Sequence, residues 1–90
     1  MKPQLTYEQH LRALTDALFE AVPTLTAHQF CEDAGLGKSW LSDFRKHGRA
    51  SLRSAEKAVG AVSELCPMGE RGDEVRRLLS MFVDSESRAA

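Results

Sequence analysis

The densest group of reactive side chains lies between Lys38 and Arg53. There Lys38, Arg45, Lys46, Arg49 and Arg53 stand against Asp43 alone, a local balance of 5 − 1 = +4. The chain carries a net charge of −1, so the remaining residues sum to −1 − 4 = −5. A compact cationic stretch in an otherwise acidic chain suits neutralisation of nucleic-acid phosphates. A merely solvated face is the plainer reading, and the near absence of acids in the stretch counts against it. Other chemistries fit less well. His28 and Cys31 are three apart and invite a metal site with Cys66 or His47, but no second Cys or His pair has zinc-like spacing. Ser39, Ser42 and His47 suggest nucleophilic catalysis, yet no acid-oriented histidine or oxyanion loop accompanies them. The expectation is no enzyme, no metal, no cofactor and no small-molecule substrate.

The chain that must position these groups has 90 residues, 42% hydrophobic and 28% charged, which fits one small domain. So short a chain buries too little apolar surface for a core and a deep substrate pocket together. No run approaches a membrane span, and Met1-Lys2-Pro3-Gln4 leads into mixed sequence without a signal-peptide apolar stretch, so a cytoplasmic location is expected. Cys31 and Cys66 are too sparse for a disulfide framework and read as reduced thiols.

Apolar residues recur at helical spacing almost throughout, and strand-like alternation is absent, which predicts an all-α fold. Tyr7, Leu11, Leu14, Leu18 and Val22 form the first stripe, opened by a capping box of Thr6 with Gln9 and closed at Pro23. A second capping box, Thr26 with Gln29, opens a short helix holding Phe30, Cys31 and Ala34, which Gly35 stops as a left-handed cap. A third helix is expected over 38–46, with Leu41 and Phe44 inward, ending near His47-Gly48-Arg49. Ser51 caps a fourth helix carrying Leu52, Ala55, Val59 and Val62. Cys66–Gly72 reads as a loop, and Asp73 as the cap of a fifth helix over about 73–83 with Val75, Leu78, Leu79, Phe82 and Val83. The expected organisation is one domain over 1–83 and a flexible tail over 84–90.

Thr26 to Lys46 thus holds helix, glycine turn and helix, the arrangement by which one helix braces across a DNA backbone and projects the next into the major groove. Phe30, Cys31, Gly35, Leu36, Leu41 and Phe44 stand at the spacings of the helix-turn-helix in the lambda repressor and Cro (Xre) family, which this segment resembles. The likeness covers roughly Thr6 to Leu65. Cys31 stands where the family usually has Ala, and Gly37 where a Ser or Thr commonly caps the recognition helix. The resemblance implies a five-helix lambda-repressor-like domain with its helix-turn-helix core at 26–46. It also implies that Lys38, Ser39, Ser42 and Asp43 read base edges, with Lys38 donating to guanine and Asp43 accepting from cytosine. Trp40, Arg45, Lys46, His47 and Arg49 would meet the DNA backbone, as would Thr26, Ala27 and His28 at the start of the bracing helix. Trp40 also lies four residues from Leu36 and Phe44 and fits a core or interface position, while Asp43 fits a surface pairing with Lys46 or His47.

One small reader covers few base pairs, so a homodimer on a palindromic double-stranded DNA site is expected, with Val75, Leu78, Leu79 and Phe82 at the interface unless that helix folds back as core. The functional expectation is a sequence-specific transcriptional regulator, a small phage- or mobile-element-type repressor acting by occlusion. The alternative is a helical protein-interaction module, an antitoxin or regulatory partner, on the same fold.

Overall fold

A computed structural model of the protein describes the backbone of residues 7–89 and the side chains of residues 7–82. Among these residues five α-helices and no strand form an all-α fold: α1 (Tyr7–Ala21), α2 (Ala27–Ala34), α3 (Trp40–His47), α4 (Leu52–Leu65) and α5 (Asp73–Ala89). Thr6, and with it the first expected capping box, lies outside the described residues, as does the side chain of Val83.

Each helix buries the face that its periodicity marks. Leu11, Leu14 and Leu18 of α1 meet Phe30 and Cys31 of α2, Leu41 and Phe44 of α3, and Val75, Leu78 and Phe82 of α5 in one core. The centre of that core is α4, whose buried face is Ala55, Ala58, Ala61 and Val62. Small side chains there let α1, α2 and α5 all pack against it. Leu52, expected inside, is 66% exposed, and Val59 is only half-buried. Both lie on the flank of α4, because the inward stripe follows Ala55, Ala58 and Val62 instead.

The fifth helix folds back on α1. Phe82 meets the ring of Tyr7 edge-on at 5.2 Å and that of His10 at 6.1 Å. Val75, Leu78 and Phe82 are therefore core residues and Leu79 is half-buried against them. Val75, Leu78 and Phe82 are thus corrected from expected dimer interface to core, since they are already covered within a single chain, while Leu79 stays partly open at the edge. The backbone of α5 also runs on to Ala89, through positions expected to form a tail, because 84–89 contains neither glycine nor proline to stop it.

Glycine decides the connections. Gly35 ends α2 at φ 72°, with the Leu36 N–H donating to the Cys31 carbonyl at 2.8 Å. A Cβ there would meet nothing within 4 Å, so the left-handed backbone alone calls for glycine. Gly72 is a different case. It closes the turn Glu70–Gly72, which lies inside the expected loop, and a Cβ there would fall 2.0 Å from the Pro67 carbonyl oxygen. Arg76 holds the same loop, donating to the carbonyls of Pro67 and Gly69 and to the carboxylate of Asp73. Asp73 thus engages Arg76, where a helix cap was expected. On the exposed side of α5, the Arg77 guanidinium hydrogen-bonded to Glu74 holds that carboxyl below its ordinary range.

Gly72→Ala is expected to destabilise the protein by about 2 to 4 kcal/mol, because a backbone atom must move to admit the methyl group. Gly60→Ala, on the exposed face of α4 with open space around it, should stabilise by about 0.5 to 1 kcal/mol. Urea titration of both variants checks the two signs.

Candidate nucleic-acid interface

The corner formed by α2 and α3 is built from local hydrogen bonds. Thr26 is extended at φ −102°, ψ 157°, so its Oγ1 accepts from the Gln29 N–H at 3.1 Å while Gln29 Oε1 accepts from the Thr26 N–H at 3.3 Å. This is the expected capping box. The amides of Ala27 and His28, in the first turn of α2, have no carbonyl four residues back within the helix to bond. Phe30 and Cys31 point into the core, and α2 turns at Gly35. His28 faces Glu32 one turn on, at 3.5 Å, an ion pair when the imidazole is protonated. A shallow open cleft lined by His28, Cys31, Glu32, Leu36 and Lys38 separates α2 from the turn that follows.

The second helix begins later than its sequence suggests. Lys38 and Ser39 lie in the turn, the Trp40 N–H donates to the Gly37 carbonyl at 3.0 Å, and α3 starts at Trp40 rather than at position 38. Ser39 is the N-cap residue, with Gly37 two positions outside. At φ −96°, ψ 4° the Ser39 backbone is not extended, so its hydroxyl does not reach the helix amides. It donates instead to Asp43 Oδ2 at 3.2 Å. Asp43 is thereby held by Ser39 and pairs with neither Lys46 nor His47.

Most of the expected contact residues are exposed on α2, α3 or the turns beside them. Thr26, Ala27, His28, Lys38, Ser39, Ser42, Asp43, Lys46, His47 and Arg49 are all exposed. Among the described residues the side chains of Lys38, Lys46, Arg49 and Arg53 make no hydrogen bond or ion pair, unlike those of Arg12, Arg45, Arg76 and Arg77. Trp40 departs from the pattern. It is half-buried and stacks on Phe44 with ring centroids 5.1 Å apart and planes 10° from parallel, which makes it a core-edge residue rather than an open backbone contact. Arg45 departs further, because Asp16 Oδ1 lies 3.4 Å from its guanidinium and the ring of Phe19 lies beneath it at 5.1 Å. Sequence reasoning missed these partners. Their signal is the spacing of Arg12, Asp16 and Phe19 by 4 and 3 residues along one stripe of α1.

Cys31 is buried in the core and Cys66 half-buried, both as free thiols. Among the described residues no group of three or more His, Cys, Asp or Glu side chains is placed to hold a metal ion, and no helix is long and apolar enough to cross a membrane. Comparison of the chain with protein-family models, with curated proteins and with solved structures returns no match.

The two caps have different consequences. Thr26→Ala removes an acceptor used by the helix backbone and is expected to cost about 1 kcal/mol, whereas Ser39→Ala should stay within about 0.5 kcal/mol because its hydroxyl caps nothing. Thermal and urea unfolding of the two variants measure the contrast.

Proposed function

We propose that the protein is a sequence-specific DNA-binding regulator that presents the α2–α3 corner to the major groove and represses by occupying its site. The observation that carries this reading is a set of exposed cations running from the corner into the start of α4: the side chains of Lys38, Lys46, Arg49 and Arg53 have no hydrogen-bond or ion-pair partner among the described residues, although Glu32, Asp33 and Asp43 are exposed on α2 and α3. Unpaired cations beside a braced helix pair are what phosphate neutralisation requires. Among the same residues Lys38, with Ser42 and the Ser39-held Asp43, supplies donors and an acceptor for base edges, and the first turn of α2 offers amides to a phosphate. No catalytic step is assigned to the molecule, and a cytoplasmic site of action accompanies the reading.

A homodimer on a palindromic double-stranded site belongs to the same proposal, since one corner spans only a few base pairs. With the α5 stripe in the core, the contact between copies falls to other surfaces. The second reading is an interaction module on this scaffold that engages a protein, for which the exposed Leu52 and Met68 are candidate contacts.

Selection from a random duplex pool is expected to enrich an inverted repeat. Lys46→Ala with Arg49→Ala should weaken binding to all sequences alike and lower the slope of log affinity against log salt by about two. Sedimentation with the selected duplex should show two protomers per site. A folded protein that enriches no sequence overturns the DNA reading in favour of the interaction module.

A further inference from the structure

We propose that Arg12, Asp16 and Phe19 of α1 form a latch that grips α3 at Arg45 and sets how the exposed α3 surface is presented, so that Arg45 is a positioning residue and not a phosphate contact. Its consequence for recognition rests on the DNA-binding reading above. The latch itself is a statement about the geometry of the chain alone.

Arg45 is held through both its main chain and its side chain. Arg12 Nη1 donates to the Arg45 carbonyl at 3.0 Å. That carbonyl lies in the last turn of α3, where acceptors lack intrahelical partners and the helix dipole favours a cation. Asp16 Oδ1 accepts from Arg45 Nη2 at 3.4 Å, and Arg12 Nε lies 3.9 Å from Asp16 Oδ2, so the three polar groups close a ring. The Phe19 ring supports the Arg45 guanidinium at 5.1 Å and meets Phe30 of α2 at 5.8 Å. One side chain of α1 therefore touches both helices of the corner.

This arrangement has a structural purpose because α1 packs on α4 and α5 more closely than on α3. Long side chains bridge the remaining gap. An exposed ion pair alone contributes little, and Asp16 and Arg45 side chains are 52% and 39% exposed. Several contacts converging on one residue restrict the rotation of α3 in a way that a single pair does not. A phosphate seeking Arg45 would also have to approach the Asp16 carboxylate, whose charge repels it. Lys46 and Arg49, free of such partners, meet no such obstacle.

The test uses the full chain with Asp16→Ala, Arg45→Ala, the double variant and the conservative Asp16→Glu. Thermal midpoints without DNA are compared first. Affinity for the duplex selected by the wild type and for a random duplex is then measured across salt concentrations, well below the lowest midpoint. The latch predicts a double variant less destabilised than the sum of the singles. It also predicts that each single alanine variant loses roughly three- to tenfold of the preference for the selected duplex, with the salt slope unchanged and Asp16→Glu close to wild type. A purely stabilising role would leave that preference intact, and this outcome overturns the positioning claim. An Arg45→Ala slope lower by about one, with tighter binding by Asp16→Ala, identifies a phosphate contact and overturns it as well. If the wild type selects no duplex, the DNA reading fails separately, and additive thermal midpoints would then refute the latch.

Discussion

Ala55, Ala58 and Ala61 give α4 a face without long side chains, and the packing of α1, α2 and α5 depends on that face. A helix face made of three alanines and one valine admits its neighbours closely, so the larger side chains around it interdigitate over its surface. Phe30, Phe44, Leu11 and Leu14 are fully or almost fully buried in consequence. A domain of this size has little apolar area to spare, and α5 is drawn into the core instead of remaining free to seek a partner.

From that centre outward the corner of α2 and α3 is defined by short-range constraints. The Thr26 and Gln29 capping box starts one helix, a left-handed Gly35 ends it, and a second left-handed glycine at Gly48 ends the next with its N–H on the Phe44 carbonyl at 2.7 Å. Phe30, Leu41 and Phe44 then anchor the corner, which leaves the polar residues between them outward by helical geometry. Cations that find no acid inside the chain remain available to an outside anion. Arg45, one residue from Lys46, is occupied by α1.

Much of the fold could be read directly because its signals act within a turn or two of helix. The capping box of α2, the turn at Gly35, the Ser51 cap with Oγ accepting from the Ser54 N–H at 3.2 Å, and the stripes of α1 and α5 all belong to this class. The start of α3 was less legible. Lys38 and Ser39 have the composition of a helix start, yet the turn bond from the Trp40 N–H to the Gly37 carbonyl delays the helix by two residues. Leu52 misled for a related reason, since a residue at the first position of a helix is covered only if another element passes over it.

The sequence by itself determined the all-α character, the helix order and the side chains available for a polar outer corner, because caps, glycine backbones and periodicity are local properties of the chain. Tertiary structure alone decided that Val75, Leu78 and Phe82 face α1 and α4, and that Arg45 meets Asp16, 29 positions away. An apolar stripe is equally suited to a neighbouring helix or a second chain, and an arginine equally to a carboxylate or a phosphate. Only the arrangement of helices in space selects between such partners, because the free energy of each contact depends on which groups the fold brings within reach.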